Sequence, residues 1–428
     1  MNSAVVIGAG VGGLCAGARL ASAGLDVTVV ERLPHVGGRW STREVDGFLL
    51  PTGAFLIAMD DPLADTFEEL GIEFPVRAIE ERTVYLVDGE LVGTGERGGL
   101  RSLVTAASDA DGSDAEAVMS AIRGALSGEV PASSEPLPDW LAQVGAGSQV
   151  VGALHALTQA FMALNAEEVT AEAFFDYLRA TAGRGRHGIP PQGSVQLAEN
   201  LASHVEACGG RVLRGRKVDQ LLERDGRVAG ALLVDGEKLE ADVVVSNIGL
   251  NETRSLLSTE QAESLPAPPP SELVPAPGMV TFVASREPYY DHPAVVVTGT
   301  RAICLVTTPT LVAPELAPDG WHYTETISTY RSSLDASEPK VERERHFADM
   351  DDLLPGWRDD ARLLKTSMYR GPWPVYRSWP GHDPQERFPL PGLALVGDAV
   401  KPHGWPGTGA SAESARIVVE QLLGSQGA

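Results

Sequence analysis

The stretch Ala4-Val5-Val6-Ile7-Gly8-Ala9-Gly10-Val11-Gly12-Gly13 decides how this chain of 428 residues folds. Its first four residues form an unbroken apolar run, the pattern of a strand buried on both faces in a parallel sheet. The glycines satisfy G-x-G-x-x-G and lead into residues 14–23, rich in Ala and Leu, so they open a helix that Gly24 closes. Asp26-Val27-Thr28-Val29-Val30 reads as a second, β-branched strand, and it ends at Glu31, 18 positions beyond Gly13.

Each feature has a physical task in holding a dinucleotide. Gly8 permits the tight turn out of the strand, Gly10 removes a side chain that would block a pyrophosphate, and Gly13 lets helix and sheet pack closely. Val11, Gly12 and Leu14 complete the helix start, whose unpaired N–H groups and positive dipole end face the phosphates. Glu31 can accept hydrogen bonds from both ribose hydroxyls, and it would repel a 2′-phosphate. Three glycines among 46 recur by chance; the whole strand–glycines–helix–strand–acid unit is the specific signal.

Directly after Glu31 comes Arg32-Leu33-Pro34-His35-Val36-Gly37-Gly38-Arg39. NAD does not require this extension. The glycine pair would let backbone lie flat beside a pyrophosphate or an isoalloxazine edge, and Arg39 supplies charge-assisted hydrogen bonds.

From Gly8 to Thr42 the chain resembles the FAD-binding start of the flavoprotein superfamily that includes phytoene desaturases, protoporphyrinogen oxidase and the flavin amine oxidases. Its layout is nearest the phytoene-desaturase-like branch. The resemblance implies FAD held by the turn from Gly8 to Leu14, by Glu31 and Arg32, and by Gly38 and Arg39. It also implies that the C-terminus returns to the same cofactor. Pro391-Gly392-Leu393-Ala394-Leu395-Val396-Gly397-Asp398 is a short apolar strand ending in Gly-Asp, where the superfamily places an aspartate near the ribityl chain and pyrophosphate. Gly397 and Asp398 take that role here. Gly404-Trp405-Pro406-Gly407-Thr408-Gly409 then runs into a helical pattern over residues 410–423. A helix start at Gly407, Thr408 and Gly409 would aim backbone donors at the flavin N1–C2=O region. The residue matching Val218 holds the adenine edge through its backbone. No cysteine lies in the C-terminal segment, so the resemblance implies non-covalent FAD. The amine-oxidase branch usually carries a tyrosine there; here Gly407-Thr408-Gly409 stand in its place, and Trp405 could supply one wall.

The expected fold class is α/β. A Rossmann-type FAD-binding domain is built from discontinuous segments, residues 1–60, 188–255 and 385–428. An α+β substrate domain with an antiparallel sheet comprises residues 61–99 and 256–384, and a helical cap covers residues 100–187. Residues 115–126 and 150–164 have helical spacing, whereas segments 76–95 and 275–380 alternate apolar and polar residues between turn signals. The Pro-rich run over residues 266–277 reads as a linker.

With 34 Lys and Arg against 58 Asp and Glu, the net charge is −24, which would repel nucleic acid and anionic lipid. The 43% hydrophobic and 21% charged content is that of a globular protein. Cys15, Cys208 and Cys304 include no C-x-x-C pair, so neither a disulfide framework nor a structural zinc or other metal site is expected. The chain shows no signal-peptide pattern and no transmembrane-length apolar run, which points to the cytoplasm.

The expected chemistry is removal of a hydride from a small or medium apolar organic substrate onto flavin N5, with electrons returned to O2 or another acceptor. A second nucleotide site for NAD(P)H is disfavoured, because Gly145-Ala146-Gly147-Ser148 lacks both a preceding strand and a later acid. Among His187, His382 and His403, the last is closest in sequence to the flavin-facing segment and is the candidate catalytic base. Arg184, Arg186 and Arg370 could anchor a carboxylate, and Trp373, Tyr376 and Trp405, with Trp379 nearby, could line the substrate pocket. Two other readings share this fold: a flavin-dependent isomerase without net redox change, and a non-enzymatic prenyl or lipid carrier of the GDP-dissociation-inhibitor type. Carriers of that type have a degraded nucleotide motif, whereas Gly8, Gly10, Gly13, Glu31, Gly397 and Asp398 are intact here. A homo-oligomer is left open.

Overall fold

A computed structural model of the chain describes residues 1–80, 84–93, 99–108, 113–130, 133–267, 276–330, 339–371 and 373–424. Residues 268–275 of the expected linker lie outside the described residues.

Five strands form one parallel sheet: β1 (Ser3–Ile7), β2 (Asp26–Glu31), β3 (Arg211–Arg214), β4 (Val243–Ser246) and β5 (Leu393–Leu395), in the order β3-β2-β1-β4-β5. Alternation along β1 decides what covers each face. Ala4 and Val6 pack with α1 (Val11–Ser22), α2 (Ser194–Ala207) and α3 (Gly407–Gly424) in one apolar cluster. Val5 and Ile7 belong to a second cluster with Val218, Leu221, Val228 and Leu233 of the antiparallel meander that spans residues 218–240. Fully burying a Val or Leu side chain stabilises by roughly 1.5–3 kcal/mol, so both faces hold the register of β1. Strand order reverses between β1 and β4, and a crevice at such a switch point is where this topology binds ligands.

Leu63 and Phe67, which the sequence places in the substrate domain, instead share the core of the α1 side. They come from the helix Pro62–Glu69, which Asp61 caps by accepting from the Leu63 and Ala64 N–H groups at 2.9 and 3.2 Å.

A seven-stranded sheet builds the second layer, in the order Arg362–Tyr369, Gly278–Ser285, His322–Ser328, Ile303–Thr307, Ala294–Val297, Val84–Val87 and Glu90–Gly93. Its pairs are antiparallel except Ala294–Val297 with Val84–Val87, which run parallel. That pair joins two distant parts of the chain, so no hairpin dictates its direction. Helices Gly99–Ala106, Ser113–Ser127, Leu137–Gln143, Ser148–Met162 and Ala171–Ala180 pack over one face, and Pro339–Leu353 covers the other. No helix among the described residues is long and apolar enough to cross a membrane.

Candidate functional site

The glycine turn is shaped by an asparagine that arrives from β4. A Cβ on Gly10 would lie 2.8 Å from Asn247 Nδ2, and one on Gly12 would lie 2.7 Å from Asn247 Oδ1 and 2.9 Å from the Gly397 Cα. The ends of β1, β4 and β5 therefore meet around Asn247, whose Nδ2 donates to the Gly8 carbonyl at 3.4 Å. Gly13 stands in the first turn of α1. A Cβ there would stand 2.0 Å from the Gly8 carbonyl oxygen and 3.2 Å from Asn247 Cβ, so the close approach it permits is between the helix and the ends of β1 and β4.

Glu31 braces the turn from the other side. It is buried, and its carboxylate accepts from Ala9 N and from Leu33 N, both at 2.8 Å. Carboxylate oxygens carry further lone pairs, which leaves acceptor capacity for ribose hydroxyls. The N-cap of α1, Gly10, offers no side-chain hydrogen bond, so the first-turn N–H groups stay open to an anion.

Asp398 anchors the C-terminal return. Its Oδ1 accepts from Arg39 Nη2 at 2.7 Å, its Oδ2 accepts from Arg377 N at 2.9 Å, and Arg377 Nη1 lies 3.5 Å from Oδ1. Burial alone would raise this carboxyl, but the Arg39 and Arg377 guanidinium groups hold it well below the usual carboxylate range. Arg39 Nη1 also donates to the carbonyls of Pro374 and Val375, at 3.0 and 2.9 Å. Much of its donor set thus straps the two ends of the chain together.

Behind Asp398 lies a second polar group. Ser378 Oγ donates to the Asp398 carbonyl at 2.8 Å, and buried Lys401 donates to Ser378 O at 2.6 Å and to Asp383 Oδ1. The ammonium stands 5.6 Å from the Tyr376 ring centroid. Tyr376 OH accepts from Gly407 N, the start of α3, at 2.9 Å, and burial pushes the phenol up to about 12. A tyrosine 31 residues upstream is therefore brought to the glycine segment. Arg184 stacks over Trp405 with Cζ 5.0 Å from the ring centroid.

A continuous cavity of about 1980 Å³ joins these parts. Gly8, Gly10, Val11, Gly12, Glu31, Arg32, Gly38, Arg39, Val218, Asp398, Gly407 and Thr408 line it, as do Trp373, Tyr376 and Trp405. Gly13, Leu14, Gly397 and Gly409 do not: Leu14 is in the core of α1, and a Cβ on Gly409 would lie 2.3 Å from Asp61 Oδ2. These four shape the walls from behind. Burial pushes the Asp61 carboxyl up to about 6.

His403 is a correction. It does not line the cavity; its half-exposed ring sits in the turn between Pro402 and Gly404, with Nδ1 3.8 Å from Asp383 Oδ2. Of the three candidate histidines, only His187 lies on the wall, where burial lowers its proton affinity. Arg184 and Arg186 line the cavity, whereas Arg370, His382 and Trp379 do not. Asn247, Arg377, Lys401 and Asp383 escaped sequence reasoning. Only Asn247 had a readable signal, its place at the end of an apolar strand beside the switch point.

A parallel sheet with a glycine-lined helix start at its switch point, opening into a large cavity, has the layout of a nucleotide-binding α/β fold. The chain belongs to the family of flavin containing amine oxidoreductases, whose model matches residues 11–423. It is a flavin-dependent oxidoreductase. A solved oxidoreductase from Methanosarcina mazei is 27% identical, superposes with a TM-score of 0.85, and the match covers 98% of this chain and 100% of that one. A protein of unassigned function from Methanocaldococcus jannaschii is 26% identical over 93% of this chain and 94% of its own. The neurosporene-forming phytoene desaturase of Rhodobacter capsulatus is 28% identical over 59% of this chain, which amounts to 53% of the desaturase.

Proposed function

We propose that the protein is an FAD-dependent dehydrogenase, desaturase or oxidase that takes a hydride from a small or medium apolar organic substrate and passes the electrons to O2 or another acceptor, acting in the cytoplasm. One observation carries this reading: a single cavity runs from Glu31 and the glycine turn to a chamber walled by Tyr85, Leu157, Phe161, Val280, Leu305 and Ile327. Flavin, when bound, supplies the two-electron acceptance. The chain's own residues bind, orient and exclude water.

The fit of the donor set supports FAD. Glu31 suits the adenosine ribose, the open N–H groups of α1 suit the pyrophosphate, and Gly10 and Gly12 leave the surface bare where a Cβ would collide with Asn247. Val218 opens the meander beside the nucleotide layer, ahead of a register shift, which supports an adenine contact there. Gly407 and Thr408 begin α3, whose positive end favours negative charge placed against it. Among the described residues no cysteine lines the cavity, and burial pushes the Cys15 and Cys304 thiols up to about 12, which supports non-covalent attachment. Tyr376 and Trp405 supply aromatic walls next to that helix start, and Trp373 lines the same cavity.

The test has two stages. Purified protein should be yellow and release FAD on heat denaturation; protein that is colourless and stays so after incubation with FAD ends the reading. Candidate substrates are then mixed anaerobically with the loaded protein. Bleaching of the flavin with a product lighter by two hydrogens is the expected result, whereas a product of unchanged mass means isomerisation.

A further inference from the structure

The strand His322–Ser328 runs through the seven-stranded sheet, and Tyr323, Glu325 and Ile327 face one side of it. In register on that side are Phe282 across one ladder and Thr307 across the other. The surroundings are apolar. Leu305 and Ile327 cluster with Leu154 and Leu157 of the helix Ser148–Met162, and Phe282, Tyr323 and Tyr369 form the neighbouring cluster.

One carboxyl stands among them. Glu325 is 2% exposed, yet it is part of the cavity wall. Thr307 Oγ1 donates to its Oε2 at 3.2 Å, and its Oε1 has no hydrogen-bond partner among the described residues. Among the described residues, the titratable groups facing it are the phenols of Tyr323 and Tyr369. Lys365, the register partner of Phe282, lies farther along the face beside Arg43 of the strand Thr42–Val45. None of these cations forms an ion pair with Glu325 among the described residues. Burial pushes the Glu325 carboxyl up to about 8, with only the Thr307 hydroxyl opposing, so at neutral pH it is an acid with a proton to donate.

We propose that Glu325 is a substrate-binding residue whose neutral carboxyl donates a hydrogen bond, into the cavity, to the oxygen of a carbonyl or hydroxyl group on an otherwise apolar substrate. This deepens the oxidoreductase reading and rests on it for the identity of the chamber. A neutral oxygen is favoured over an ammonium on physical grounds. An ammonium would have to shed a much more tightly held hydration shell, and the acid would have to give up its proton to pair with it; a neutral carbonyl oxygen loses weakly held water and leaves the proton on the acid.

The experiment compares two probes of one shape, decan-2-one and decan-2-amine, titrated calorimetrically into flavin-loaded protein between pH 6 and pH 9.5. Flavin content is measured separately by absorbance, so failure of cofactor loading is not confused with failure of this proposal. The ketone should bind at pH 6–7 and weaken up to tenfold per pH unit above about 8. Glu325→Gln should keep ketone binding, now independent of pH, because the amide still donates; Glu325→Leu should lose it at least tenfold. The infrared difference between wild type and Glu325→Gln should contain a protonated-carboxyl stretch at pH 7 that vanishes by pH 9.5. The proposal is overturned by undetectable ketone binding, by ketone binding unchanged in Glu325→Leu, by tighter binding of the amine, or by absence of the carboxyl stretch at pH 7.

Discussion

Arg39 and Asp398, 359 positions apart in the chain, meet at 2.7 Å. Arg39 follows the first nucleotide-binding unit and Asp398 follows the last strand of the same sheet, so this ion pair closes the layer on itself. Both side chains are largely buried, and Arg377 brings a second cation to the same carboxylate.

Asp398→Asn should leave two guanidinium groups facing a neutral amide, a loss of about 3 kcal/mol measured by urea unfolding at pH 7. The sign with pH follows from the depressed proton affinity. The contribution of Asp398 is present above its ordinary value of 3.8 and is lost as pH falls through the lower value it has in the fold. The stability gap between wild type and variant should therefore hold from pH 7 down to about 4 and narrow below it.

Gly12→Ala should abolish flavin binding, read as loss of yellow colour, because the new Cβ meets both Asn247 Oδ1 and the Gly397 Cα. Removing the side chain half of that clash in Gly12→Ala/Asn247→Ala should recover little, since the backbone half remains. Substantial recovery in the double variant would show that the side chain alone sets the fit.

Lys401→Met should cost about 3–5 kcal/mol, since it strands the Asp383 carboxylate in the interior. Asp383→Leu should cost a similar amount by stranding the ammonium. The pair Lys401→Met/Asp383→Leu should regain most of the loss, and thermal unfolding of the four proteins gives the coupling directly.

Glu325 should make stability fall with rising pH. Its folded value of about 8 lies above the ordinary 4.5, so the native state holds a proton that the unfolded chain releases between those values. Glu325→Gln removes this dependence. Wild type should lose ground to the variant from about pH 4.5 to pH 8, by at most about 1.4 kcal/mol per pH unit, and the difference should level off above pH 8. A pH-independent difference in melting temperature between the two would show that the group does not titrate in this range.

The two ends of the chain differed in how openly they declared themselves. Residues 4–31 combine every cue within a single short unit: a β-branched strand, glycines where backbones crowd, a helix, a second strand and an acid. Glu31 was readable as an acceptor because its strand lies in that unit, whereas its bond to the Ala9 N–H came only from the folded turn. His403 was misplaced for the opposite reason. Nearness in sequence to Gly407 suggested nearness to the cavity, but the Pro402–Gly404 turn sets its ring against Asp383 instead. Tyr376 likewise had no local sign that its hydroxyl would meet the start of α3.

The amino-acid order by itself determined the parallel sheet, the glycine turn and the class of cofactor, because strand period, helix start and turn chemistry are interactions between near neighbours. Only the tertiary structure decided that Arg39 is held by Asp398, that Asn247 fills the space between Gly12 and Gly397, and that Glu325 looks into the chamber. Those outcomes depend on which distant segments share a surface. A carboxyl in an alternating strand reads the same whether its face meets water or an apolar wall, and packing alone chooses between them.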